Sequence, residues 1–276
     1  MGERRPLRTR LALLDRGPMP ESLPSASGST SRRQVLTATA WAVPVIAAAV
    51  AVPSASASPC TLTYPGQVRF QSTGAGAANA VNYTPGTTTT TGSASVALAG
   101  AAASVGNVGV SFATTLVGGA YALNAANLRL ATPTVAGGAT GTNARLALQQ
   151  TSSASTTTPR GQATTISFDR PVQNLSFTIY GFTRSTATYN DAAYITSAAT
   201  FTRSGQGSQI AGVGTSVSPW TTNTVNSESG QTTTANSVTV TFVGPVSSLV
   251  INYYSAGGSG GAQAIFLGNM AFTAGC

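Results

Sequence analysis

The chain predicts an all-β fold after residue 57, an antiparallel β-sandwich of jelly-roll-like type, and three observations predict it. The region is built from Thr, Ser, Ala, Gly, Val and Asn, and the 276 residues hold no Lys and no His. Thr and Val favour extended backbone, while Gly, Asn and Pro mark turns. Short segments alternate with period two: Leu175, Phe177 and Ile179 against Ser176, Thr178 and Tyr180, and Val238, Val240 and Phe242 against Thr239 and Thr241. That alternation belongs to strands with one face in a core. Finally, one phrase occurs twice, 74 residues apart: ISFDRPVQNLSFTIY at 166–180 and VTFVGPVSSLVINYY at 240–254. Each copy reads as strand, corner, strand: Phe168 or Phe242, two residues, Pro-Val (171–172 or 245–246), then a strand opening at Leu175 or Leu249. Proline has no N–H to donate, so it sits where a ladder is interrupted, and the valine drops back into the core. Two equivalent places in a pseudo-symmetric sandwich would give this repeat, and so would convergence on a common corner. Either way it speaks to fold and not to chemistry.

Residues 1–57 read as an export signal. RRPLRTR supplies positive charge, a Pro/Ser-rich spacer follows, and SRRQVL precedes the apolar run Ala40 to Val52. Ala55-Ser56-Ala57 then offers a small-x-small cleavage site before Ser58. The apolar run has 13 residues and contains Pro44, whereas a spanning helix needs about 20. Ser31-Arg32-Arg33-Gln34-Val35-Leu36 resembles the twin-arginine export signal, with Val35 where that family prefers Phe. The resemblance implies that Arg32 and Arg33 are recognised by the export machinery; a general secretory signal is the alternative. Beyond the cut, seven Arg and three acids (Asp169, Asp191, Glu228) remain, for a net charge of +4. The arginines form no cluster, so the charge is no nucleic-acid footprint. The expected mature chain is secreted or held non-covalently at the envelope, and it does not span a membrane.

The expected strands run in order through 67–72, 93–100, 107–116, 126–132, 144–150, 163–168, 173–182, 192–203, 236–242, 247–254 and 264–273, and TTTTTGS (87–93) reads as a loop. Residues 58–276 are expected to form one domain, with 151–162 as the place for a division if there is one. Cys60 and Cys276 are the only cysteines, and in an exported chain they are expected to pair. Two free thiols, or a lipid-modified Cys60, are the alternatives.

Residues 162–273, with ISFDRPVQNLSFTIY, then Tyr189-Asn190-Asp191, then AIFLGNMAFT, resemble exported β-sandwich modules of Gram-positive, especially actinobacterial, surface proteins. Those modules often carry an acidic phrase after the Pro-Val corner; Tyr180-Gly181-Phe182 stands there instead. The resemblance implies an extracellular adhesive or structural role.

Function is narrowed mostly by exclusion. Without His there is no His-based triad and no imidazole metal ligand; without Lys there is no P-loop and no Schiff base. Gly74-Ala75-Gly76 lacks the third glycine and the helix of a dinucleotide loop, and no cofactor is expected. Asp169, Asp191 and Glu228 could supply the carboxylate pair of a glycosidase, which needs a separation of about 5–10 Å; as turn residues they read more simply as solvated. Asp191 with Asn190 is a weak candidate for a cation site. Trp220, in SVSPWTTN, with Tyr189 and Tyr194 near Asn190-Asp191, could offer rings for stacking sugars, or Trp220 could fold back on the core. The expected function is therefore a non-catalytic adhesive or structural protein at or outside the envelope, with a glycan or protein ligand. A carbohydrate-binding module comes second and a two-carboxylate glycan hydrolase third.

Overall fold

The computed structural model describes residues 62–71, 73, 75–76, 79–118, 122–131, 144–152, 161–185, 188–225, 234–257 and 261–275. By Cα proximity the chain divides between Ala57 and Ser58, and the fold is that of the unit Ser58–Cys276. Its elements are antiparallel strands, with no α-helix among the described residues.

One strand organises the rest. Strand β8 (Gly161–Tyr180) runs for 20 residues. Its first half pairs with β4 (Val108–Val117) on one side and β14 (Val246–Ser255) on the other. Its second half pairs with β13 (Ser237–Val243), and on the far side with β15 (Gly261–Leu267) and β16 (Met270–Gly275). The change of partners falls at Asp169-Arg170-Pro171, where β8 turns from one layer into the other. Strands β13 and β14 make the same passage in reverse at Gly244-Pro245.

The first layer therefore runs β2 (Tyr83–Pro85), β3 (Thr91–Val96), β4, the first half of β8, β14, β9 (Asp191–Thr196), β12 (Trp220–Thr222) and β11 (Ile210–Ala211). The second runs β10 (Thr200–Gln206), β13 and the second half of β8. It continues through β16 to β1 (Thr63–Val68), and through β15 to β7 (Arg145–Ser152), which carries β5 (Ala122–Leu123) and β6 (Leu130–Ala131).

This arrangement explains the repeated phrase. Its two copies lie side by side and antiparallel, and the valines that follow the prolines, Val172 and Val246, are register partners. Phe168, Val172, Leu175, Phe242, Val246 and Leu249 are all buried. The two corners carry both strands across the sandwich together, and each alternating strand keeps its apolar side between the layers.

Rings join the layers: Phe70 meets Phe112 at 6.0 Å, Phe168 meets Phe272 at 5.6 Å, and Phe201 meets Trp220 at 5.8 Å. Each such ring contributes roughly 1.5–3 kcal/mol by leaving water. The first corner is braced from outside. Arg170 donates to the carbonyls of Val105 (2.9 Å), Gly106 (3.0 Å), Asn107 (2.8 Å) and Gly275 (3.4 Å). The Asp169 carboxylate accepts the Gly109 N–H at 2.8 Å.

Several sequence expectations are corrected. Residues 163–168 and 173–180 belong to one bent strand, because a corner needs no intervening loop, and Gly181-Phe182 lie beyond its end. Residues 192–203 are two strands separated by a turn at 197–199, and 264–273 are two strands broken at Gly268-Asn269. Thr91 and Gly92, expected in a loop, open β3, and of the described residues 126–131 only Leu130–Ala131 is strand. There Leu128, at φ 52°, turns the chain and buries its side chain.

Candidate interaction surface

The outer side of the first layer is a broad face whose register brings hydroxyls into rows. Thr84, Ser93, Ser111, Ser167 and Ser248 are successive partners across β2, β3, β4, β8 and β14. Neighbouring members stand about 4.8 Å apart, the interstrand spacing. Two residues along the strands, Thr91, Ala113, Thr165, Val250 and Thr196 form the next row. A third holds Thr115, Ala163, Asn252 and Tyr194. These three rows contain no charged residue.

Aromatic character enters at one end of this face. Tyr194 on β9 and Tyr254 on β14 are half-buried, with ring centroids 6.3 Å apart and planes at 72°. Asn252 lies opposite Tyr194 and donates from Nδ2 to Thr196 Oγ1 at 3.3 Å. A tyrosine pair beside an amide and hydroxyls combines an apolar shelf with donors and acceptors. Tyr254 and Asn252 were missed as functional residues. Their outward parity in Ile251-Asn252-Tyr253-Tyr254 was visible, but their placement next to Tyr194 depends on which strand pairs with which.

Of the two readings of Trp220, burial against the core holds and sugar stacking does not. It lies in β12, not in a loop, and its side chain is fully buried, so it offers no face to a sugar. Gly214, at φ 81°, makes room for it: a Cβ there would meet the indole at 2.2 Å. Tyr189 does not join the shelf either. Its phenol is close enough to act electrostatically on Tyr253, in the interior.

Asp191 is corrected too. It is fully buried, not a solvated turn residue. Its Oδ2 accepts from Thr183 N (2.8 Å) and Thr183 Oγ1 (2.8 Å), and its Oδ1 accepts from Tyr253 Oη (2.7 Å). Burial pushes its pKa up from 3.8 to about 7, against the opposing pull of those hydrogen bonds. The same burial, with the carboxylate beside it, drives the Tyr253 phenol well above its ordinary range. With both oxygens engaged by protein donors, Asp191 is poorly disposed to hold a cation.

Nor does Asp191 meet Asp169. Ser255 pairs with Asp191, and Tyr254 before it pairs with Gly161 at the start of β8. Asp169 lies eight residues further along β8, about 26 Å at 3.3 Å per residue. A glycosidase pair stands within about 10 Å, so these two do not form one. Glu228, Arg32, Arg33, Ala55, Ala57, Ser58, Cys60, Cys276 and Gly74 lie outside the described residues.

No family model matches the chain, and no curated protein and no solved structure matches it either.

Proposed function

We propose that this protein is exported, cut after Ala57, and acts outside the cell as a non-catalytic β-sandwich with an adhesive or structural role. The observation that carries the reading is the outer face of the first layer: several strands wide, uncharged in its central rows, and lined with hydroxyls in register. The positively charged, apolar and small-residue succession of residues 1–57 supports export, as does the likeness to surface modules. The pairing of Thr63 with Gly275, in strands that lead to Cys60 and Cys276, supports a disulfide between the two cysteines.

Culture fractionation with N-terminal sequencing tests export and processing, with Ser58 as the expected first residue. Sedimentation with isolated envelopes tests adhesion: Thr165→Arg, which puts a charge in the middle of the face, is expected to lower binding at least tenfold. Equal binding by the variant sinks the reading.

A second reading, a module for neutral polysaccharide, is favoured by the Tyr194–Tyr254 pair beside Asn252. Tyr254→Ala would then reduce retention on insoluble glycans while leaving protein partners unaffected.

A further inference from the structure

A groove of about 460 Å³ lies along β1. One side of β1 pairs with β16; the other is bonded only at intervals. Asn82 donates from Nδ2 to Gln67 O at 2.8 Å and accepts Arg69 N–H on Oδ1 at 2.7 Å. Ala99 N–H reaches Pro65 O at 2.9 Å. These bonds tie β1 to the segments around β2 and β3, so the groove is preformed. Its walls are largely apolar, from Pro65, Ala80, Ala97, Leu98, Ala99 and Ala271.

The one charge in the lining is Arg69. Its guanidinium differs from that of Arg170, which satisfies four carbonyls. No ion pair or side-chain hydrogen bond among the described residues engages Arg69, and its Nε is shielded from water without a partner. No Asp or Glu lines the groove. Ser95, also in the lining, accepts from Asn107 Nδ2 at 2.9 Å and keeps its own O–H to donate. A planar fork of N–H donors lacking acceptors, beside a free hydroxyl and apolar walls, is complementary to a carboxylate carried on a compact apolar body. The volume is that of a small-molecule site.

We infer that this groove binds a small organic carboxylate. The carboxylate oxygens accept from Arg69, and the apolar body lies against Leu98 and the alanines.

The test uses benzoate and its neutral isostere benzamide, titrated into the full chain and followed by amide chemical shifts. Saturable shifts are expected at Arg69, Ala97 and Ala99, with benzoate binding roughly tenfold more tightly than benzamide, as expected of a charge-assisted pair. Arg69→Gln should abolish that difference while benzamide still binds, which also shows that the variant is folded. Ala97→Trp, filling the groove from an exposed position, should block both. Equal affinity for the two probes, unchanged benzoate binding in Arg69→Gln, or no saturation up to about 20 mM overturns the inference. So does inorganic phosphate binding as tightly as benzoate, since charge alone would then be recognised. The variants used here, at Arg69 and Ala97, differ from Thr165→Arg, so this site and that function stand or fall separately.

Discussion

At the corner end of the first layer, the Asp169 side chain is 54% exposed, binds a backbone N–H and lies 4.0 Å from Arg170. At the far end, Asp191 is sealed inside, with Thr183 and Tyr253 as its donors. The interior changes in the same direction. Near the corner it is Phe, Val and Leu; toward Asp191 it takes in Thr114, Thr164, Gln150, Gln162 and Tyr253, all buried. The corner end combines apolar burial with a cation that satisfies carbonyls. The far end places a carboxyl where its charged form is poorly solvated. One sandwich thus has an end braced by a cation on carbonyls and an end that responds to pH.

The largest expected effect breaks this contrast at the far end. Between pH 4 and 7 folded Asp191 keeps a proton that the unfolded chain has released, so stability falls as pH rises through that window and levels off above it. The span from 3.8 to about 7 corresponds to about 4 kcal/mol. Asp191→Asn keeps the shape, with Oδ1 able to accept from Thr183 and Nδ2 able to donate to Tyr253. Denaturant midpoints against pH should therefore slope downward for the natural chain and lie flat for the variant.

Next in size, Arg170→Ala strips four carbonyls of their donor at the corner end. It should cost about 2–4 kcal/mol by chemical denaturation, equally at pH 5 and pH 8. A pH-dependent loss would mean that the two ends are coupled. Gly244→Ala tests the second corner. Gly244 has φ 92° with open space where a Cβ would stand, so the expected cost, about 1–2 kcal/mol, is purely one of backbone conformation. Smallest in stability and sharpest in meaning is Tyr253→Phe. Removing its hydrogen bond to Asp191 should move the pH midpoint upward, because that bond favours the charged form.

Much of this layout was legible. The alternation in 173–182 and 236–242 follows directly from side chains that must face a core, and the corner phrase named its buried residues correctly: Phe168, Val172, Leu175 and their counterparts. Pairing was not legible. Nothing in Ser93, Ser111, Ser167 and Ser248 taken singly says that they will share a row, since register is set by partners distant in the chain. Nor do Asn190-Asp191 differ locally from a turn pair; only Tyr253, brought in by β14, gives Asp191 a reason to be inside. For Trp220 the loop-like flanks, Ser218-Pro219 and Asn223, hid the strand, while the alternative in which the ring folds back on the core holds, following the general rule of burial.

The partner of β1 is the last strand, β16, which is also a partner of β8. Asn269 Oδ1 accepts the Phe70 N–H across 199 residues of chain. The ladder of β1 therefore cannot close until residue 270 has been made; before that, β1 has only its bonds to Asn82 and Ala99 to hold it. Topologies dominated by such distant closures complete slowly, in milliseconds to seconds. During that interval the unmatched edges of β1 and β8 are where a nascent or truncated chain would be captured by a chaperone or by another copy of itself.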